Sequence, residues 1–350
     1  MDKARDKVPA RYVALLVQHL EHEGFDCDLA LSCAGINRTH RGHADALLPA
    51  SQLIDVVRRL AQASHRSDLG LSIGSLIGTG QLGEVGRAML CCATLRDAWD
   101  CCARYYELIT PSFSMSIRTV GACVELSWLP ILPLPYDLIV LSYDIALMAV
   151  HNQLTCLLRN DLPSYDIYPS TPAPTYVERY RQLRPARCHF SQGGLPRLSI
   201  MIDVEVLKTA MPMANATDLI QAEQRLQARL STAPRLRDWK AWVLLMLRES
   251  HDHQPTQGEL SALLSMSAST LSRHLAAQGC SYRDLSMTVR YERACVLLQE
   301  GRSTVGDIAK RLGYAHASNF IRAFKVQTGM SPLQYVEERI TPLTVGDEVE

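Results

Sequence analysis

At 350 residues, 47% hydrophobic and 6% aromatic, the chain is long enough for two domains that each bury a core. Its 36 basic and 36 acidic residues cancel, which argues against a protein that coats nucleic acid through bulk positive charge. No low-complexity tract occurs, and "MDKARDKVPARY" at the start has no apolar run behind its charges, so the expectation is a cytoplasmic, soluble protein without a secretory signal.

In chain order, "ARYVALLVQHLEHEG" (10–24) has helical periodicity and stops at Gly24. "SQLIDVVRRLAQASH" (51–65) predicts a second amphipathic helix. "LGEVGRAMLCCA" (82–93) and "TLRDAWDCCARYYELI" (94–109) predict a helix pair, with Thr94 as N-cap and Asp97 at the third position of the second helix. After Pro111 the period changes to two, and "SFSMSIRTVGACVELSWLP" predicts a β-hairpin about Gly121. A long helix follows over about 136–159; Asp144, His151 and Asn152 within it indicate a buried helix rather than a membrane span. Four prolines in 163–174 predict extended or turn structure, and "PRLSIMID" (196–203) a strand. Helices are expected at about 217–231 and 236–250, with a linker at the polar "ESHDHQPT" (249–256).

From 256 to 339 the pattern is all helical and repeats once. In "GELSALLSMSASTLSRHLAAQG" (258–279) and "GDIAKRLGYAHASNFIRAFKVQTG" (306–329), Glu259 matches Asp307, Leu260 matches Ile308, Ser261 matches Ala309 and Leu264 matches Leu312. After one inserted residue, Leu271 matches Phe320, Arg273 matches Arg322 and Leu275 matches Phe324. Each unit has the parts of a helix-turn-helix: a short first helix with a small residue at its packing point, a turn (Gly313 in the second unit), and a second helix anchored by apolar residues four apart. The connecting "YRDLSMTVRYERACVLLQEG" (282–301) reads as one long helix.

The second helix of each unit begins with small polar side chains. A recognition helix approaches the bases with its first turn in a groove ~12 Å wide, where bulk would hold it away, and helix N-termini also favour phosphate. The expected DNA-contacting residues are therefore Ser267, Ser269, Thr270, Ser272 and Arg273 in the first unit, and Ala317, Ser318, Asn319, Arg322 and Lys325 in the second. Arginine grips guanine and asparagine grips adenine by paired hydrogen bonds, so Arg273, Asn319 and Arg322 are base readers and Lys325 a phosphate contact. Residues 255–339 carry ten Lys/Arg against seven Asp/Glu, a local balance of +3 that points to a few placed cations.

These residues resemble the DNA-binding domain of the AraC/XylS family of bacterial transcription regulators, most closely over 308–339, where "FKVQTGMSPLQY" sets Phe324, Gly329, Pro332 and Tyr335 in the family's places. The chain departs from the family's usual residues at Ala315, His316 and Ile321. "GQLGEVGRAMLCCATLRDAWDCCARYYELITPSFSMSI" (80–117) and "RCHFSQGGLPRLSIMIDVEVLKTAMP" (187–212) are similar to the N-terminal effector domain of ornithine- and arabinose-type regulators in that family. The resemblance implies an α+β chain: a mixed N-terminal effector domain (1–235), a connecting helix and linker (236–255), an all-α double helix-turn-helix domain (256–339) joined by its long helix, and a tail (340–350). It implies a transcription regulator whose partners are double-stranded promoter DNA, RNA polymerase and a small-molecule effector; an activator and a homodimer are the expectation, with activation against repression and the oligomeric state left open by the sequence. It also implies that the two recognition helices enter successive major grooves.

For the effector, Arg104, Tyr105 and Tyr106 are candidates to hold a carboxylate and its apolar stem, against the alternative that the tyrosines pack the core and Arg104 ends in water. The eleven cysteines contain no CxxC, and adjacent cysteines on a helix point about 100° apart, so Cys91–Cys92 and Cys101–Cys102 read as core residues. No metal, cofactor or catalytic residue is expected, and the chain does not read as an enzyme. "GLSIG" (70–74) and "GTGQLG" (78–83) match catalytic and dinucleotide patterns, but the polar or broken runs before them predict ordinary turns. Rival readings remain a regulator switched by oxidation of those cysteines, one controlled by a protein partner, and a thiol- or metal-dependent enzyme.

Overall fold

The computed structural model of the protein describes residues 7–36, 47–132, 134–158, 162–191, 195–232, 238–250, 254–264 and 266–340. It divides into two compact units, Met1–Asp238 and Trp239–Glu350.

In the first unit β1 (Lys7–Pro9) pairs antiparallel with β2 (Leu47–Pro49), enclosing α1 (Arg11–His22) and α2 (Asp28–Cys33) in sequence. Then come α3 (Ala50–Ser64), α4 (Leu69–Ser75), α5 (Glu84–Cys91), α6 (Leu95–Arg104) and the single turn α7 (Tyr106–Ile109). Thr94 caps α6 as expected: its hydroxyl accepts from Asp97 N, and the Asp97 carboxylate accepts in return from Thr94 N at 3.1 Å. The helix predicted over 94–109 is broken at Tyr105, whose backbone leaves helical geometry (φ −111°, ψ 16°).

The predicted hairpin is β3 (Phe113–Val120) and β4 (Cys123–Pro130), turned at Gly121, which has φ +61°. The long helix α8 (Tyr136–Leu158) follows, then β5 (Asp166–Pro169) inside the proline-rich stretch, β6 (Arg187–Cys188), β7 (Leu198–Asp203) and α9 (Ala216–Thr232). The sheet order is β3-β4-β7-β5-β6, antiparallel except for the β5–β6 pair. α8 is long and apolar enough to cross a membrane, yet 67% of its most apolar window is buried, as in the core helix of a folded domain.

α8 explains "GLSIG". These residues form α4, not the expected turn, because their glycines let α4 cross α8 closely: a β-carbon at Gly70 would stand 2.6 Å from Asp144 Cβ, and one at Gly74 2.6 Å from Met148 Cβ. "GTGQLG" does form a turn, a short 3-10 segment at Thr79–Leu82 ending in Gly83 at φ +67°.

The second unit contains α10 (Trp239–Glu249), α11 (Gln257–Leu263), α12 (Ala268–Ala277), α13 (Tyr282–Glu300), α14 (Val305–Arg311), α15 (Ala317–Thr328) and α16 (Pro332–Ile340). α10 packs on α12 and α13 with Trp242, Val243, Met246 and Leu247 buried, so it is part of this unit's core. Arg293 on α13 donates to the C-terminal carbonyls of α10, Leu247 O (2.7 Å) and Arg248 O (3.1 Å), and to Ser250 O, where a cation is favoured by the helix dipole. Gln254 bonds to Ser286 O and Arg290, and Pro255 O accepts from the Tyr282 hydroxyl, so the flanks of the expected linker are fastened to α13. The expected boundary at 235 and the tail after 340 lie outside the described residues, as do 251–253 of the linker.

Candidate nucleic-acid interface and ligand cavity

The repeat is physical. Thr256 and Glu259 form a capping box at the start of α11, and Thr304 and Asp307 form the same box at α14. Leu260 and Ile308 are fully buried, and the small Ser261 and Ala309 are 3% and 1% exposed at the matching close-packed positions. The turns match too: Met266 N donates to Ser261 O at 3.0 Å and Tyr314 N to Ala309 O at 2.9 Å. Only the second turn uses a left-handed glycine, Gly313 at φ +80°.

The second helices are held by the predicted anchors. Leu271 and Leu275 bury α12; Phe320 and Phe324 bury α15, packed edge to face with centroids 5.7 Å apart. This pairing leaves one face of each helix outward. Ser267, Ser269, Ser272, Arg273, Ser318, Asn319, Arg322 and Lys325 are exposed, and Thr270 and Ala317 are half-buried.

Their roles separate on the hydrogen bonds they already make. Ser267 caps α12, its hydroxyl accepting from Thr270 N at 3.2 Å and lying 2.8 Å from Ser269 Oγ. Ser272 accepts from Gln257 Nε2 at 2.6 Å, so Gln257 of α11 steers that face. Sequence reasoning missed Gln257 because its partner lies fifteen positions away and is brought near only by tertiary packing. At α15 the N-cap His316 makes no side-chain cap, leaving the first-turn N–H groups of Ala317 and Ser318 without that bond.

Among the described residues no ion pair or side-chain hydrogen bond engages Arg273, Asn319, Arg322 or Lys325. On α10 and α13 three arginines are occupied, Arg290 among them through Gln254. Arg248 pairs with Glu292 at 2.7 Å and Arg293 is spent on carbonyls.

In the first unit an apolar cavity of about 110 Å³ lies between α4, α6, α7, the β3–β4 hairpin and α8. Of the three effector candidates only Tyr106 lines it. Tyr105 is buried outside the lining (3% exposed), and Arg104 lies over the Tyr105 ring while donating to Glu223 of α9 at 2.5 Å. The break at Tyr105 explains the separation: a continuous helix would have carried the three residues round one regular spiral. Trp128 and Tyr143, which line the cavity, had no signal in the sequence, since their neighbours are remote in the chain.

Of the paired cysteines, Cys92, Cys101 and Cys102 are buried and Cys91 is half-buried. Burial pushes the Cys102 thiol up to about 12, and Cys91 rises for the same first reason. Cys92 also rises, chiefly through its hydrogen bond with Cys101 and then through burial. A thiol held protonated is a poor nucleophile, so this cluster does not favour the oxidation-switch reading.

A duplicated helix-turn-helix unit with outward, unpaired cations, preceded in the chain by a domain of mixed helices and strands with an apolar pocket, defines a DNA-binding transcription regulator. Residues 24–211 match the family described as "Arabinose-binding domain of AraC transcription regulator, N-term", and residues 260–338 match "Helix-turn-helix domain". The chain belongs to the AraC family of transcription regulators. It is 26% identical over 271 residues to the ornithine utilization regulator of Pseudomonas aeruginosa, covering 77% of this chain and 78% of that one. It is 27% identical over 298 residues to an uncharacterized HTH-type transcriptional regulator of Mycobacterium tuberculosis (83% and 85%). A solved structure, the transcriptional regulator CdpR from Pseudomonas aeruginosa, aligns over 89% of this chain and 96% of its own at 18% identity, with a TM-score of 0.40.

Proposed function

We propose that the protein is a small-molecule-responsive, sequence-specific regulator that sets α12 and α15 into successive major grooves of promoter DNA. The observation that carries this is the duplicated unit, in which both second helices turn an unpaired arginine outward at matching positions, Arg273 and Arg322. The 19-residue α13 between the units spans roughly 28 Å at 1.5 Å per residue, comparable to the ~34 Å between successive major grooves.

In this reading Arg273 and Arg322 pair with guanine and Asn319 with adenine, while Lys325 and the α15 first-turn N–H groups at Ala317 and Ser318 meet phosphate. Ser267, Ser269, Thr270 and Ser272 let α12 approach the base edges without bulk. The protein acts in the cytoplasm as a homodimeric activator beside RNA polymerase and carries no catalytic site. Selection of a binding site from random duplexes, followed by hydroxyl-radical footprinting, tests it. Two protected segments one helical turn apart per chain are expected; a single protected groove segment refutes the double insertion.

A further inference from the structure

Two side chains of the first helix-turn-helix unit form a pair that the second unit lacks. Gln257 is the first residue of α11, directly behind the N-cap Thr256. Its amide nitrogen donates to Ala268 O at 2.9 Å and to Ser272 Oγ at 2.6 Å, both on α12. A carbonyl oxygen can only accept, so Ala268 O settles which end of the Gln257 amide faces α12. Each of the two amide protons then has its own acceptor, and the Ser272 oxygen is one of them. The matching positions of the second unit hold Val305 and Ile321, whose side chains have neither donor nor acceptor.

The Ser272 proton remains to be placed. A serine in a helix can return it to the carbonyl four residues back, which here is Ala268 O. That oxygen has two lone pairs, one taken by the Ser272 N–H in the helix ladder and the other by Gln257. Among the described residues the Ser272 hydroxyl has no hydrogen-bond partner besides Gln257, and Ser272 is exposed. The other hydroxyls at this end of α12 are turned on one another: Ser267 Oγ lies 2.8 Å from Ser269 Oγ and 2.9 Å from Thr270 Oγ1. Of these four hydroxyls, that of Ser272 is the one held with its oxygen filled from behind and its proton directed outward.

We infer that Gln257 is a specificity-determining positioning residue: by filling the acceptor side of Ser272 it makes that hydroxyl a donor toward the base edge, so that α12 rejects cytosine at one position of its half-site. Guanine, adenine and thymine each present a major-groove acceptor, whereas cytosine presents only its N4 amino donor. A serine free to rotate reads donors and acceptors alike and would accept from cytosine. The inference rests on the reading in which α12 enters a major groove. Ile321, at the matching place on α15, has no hydroxyl, so the two half-sites differ at this step.

The test is a gel-shift competition between the selected duplex and its single-base variants on the full-length protein. In wild type, one position of the α12 segment should disfavour cytosine about threefold to tenfold, the range one net hydrogen bond supports. Gln257→Leu keeps most of the bulk and removes the amide. It should cut that penalty below about twofold and leave the preference set by Arg273 in place. Gln257→Ala repeats this arm with the residue a helix accepts best, should the leucine disturb packing. Ser272→Ala, at an exposed helical position, should abolish the same penalty, and Gln257→Leu added to it should change no preference further. A purely structural role for Gln257 would weaken every duplex alike. The inference is overturned if both Gln257 variants do that with preferences intact, if no α12 position disfavours cytosine in wild type, or if Ser272→Ala leaves the penalty standing. Arg273→Ala separates the two readings: a base preference lost there keeps α12 in its groove whatever Gln257 does, and no change from any of these variants refutes the groove reading as well.

Discussion

Truncation of Phe324 tests whether the two helix-turn-helix units stand on separate cores. Phe324 is 3% exposed, and its ring lies 5.5 Å from Tyr291, 5.7 Å from Phe320 and 5.5 Å from Tyr335. Phe→Ala in a core costs about 3–5 kcal/mol, and three ring neighbours, each worth ~0.5–1.5 kcal/mol beyond area, put this site toward the upper end. The buried residues packed with it, Ala294, Leu298, Ile308, Ala309, Leu312, Phe320 and Tyr335, all come from the second half of α13 and from α14 to α16. Leu260, Leu271 and Leu275 of the first unit are not among them. Phe324→Ala should therefore raise hydrogen exchange across α14, α15 and α16 and leave α11 and α12 near wild type. In a footprint it should erase one protected segment and retain the other. Equal acceleration of exchange in α11 and α12, or a stability loss under about 1 kcal/mol in urea, would refute the separation of the cores.

Arg273→Ala should weaken binding to the selected duplex by ~1–3 kcal/mol and relax preference at one base pair, read by gel shift against a panel of single-base variants. Lys325→Ala should weaken all duplexes alike and lower the slope of log K against log salt by about one unit, since one phosphate contact is removed. Gly74→Ala should destabilise the first unit by about 1–3 kcal/mol in urea, because the new methyl carbon would meet Met148 Cβ at 2.6 Å and Ile145 O at 2.8 Å. Asp144 titrates against folding. Burial lifts its carboxyl from 3.8 to about 6, despite hydrogen bonds from Tyr180 and Tyr176. Between those values the folded state binds more protons than the unfolded one, so this group's contribution falls as pH rises through the window. About two units at 1.36 kcal/mol each make ~3 kcal/mol in full, of which roughly 2 kcal/mol should appear between pH 4 and 7 as a shift of the stability difference between wild type and Asp144→Asn in favour of Asn.

Much of the fold was legible because its signals are local. The period change after Pro111, the Thr94–Asp97 cap and the apolar pairs four apart on α12 and α15 each depend on residues within a few positions of one another. The misread segments depend on something remote. "GLSIG" resembles a turn in its glycines, but those glycines serve the crossing with α8, some seventy residues on. "ESHDHQPT" is polar enough for a free linker, yet Arg293 and Tyr282 of α13 bind its carbonyls. Polarity in a short segment records what the backbone needs, and water is only one way to supply it.

The same distinction divides the two candidate sites. A recognition face can be read from sequence because a helix writes both of its faces into one short stretch: fix the buried Phe320 and Phe324, and the outward Asn319, Arg322 and Lys325 follow from the 3.6-residue period. A cavity has no such code. Its wall is contributed by elements from α3 to α8, which meet only in the folded domain. Arg104, Tyr105 and Tyr106 drew attention by standing side by side in the chain, whereas one break in the helix sends them to a salt bridge, the core and the cavity wall. Adjacency in sequence therefore carries a surface helix and misleads for a pocket whose wall is assembled from remote elements.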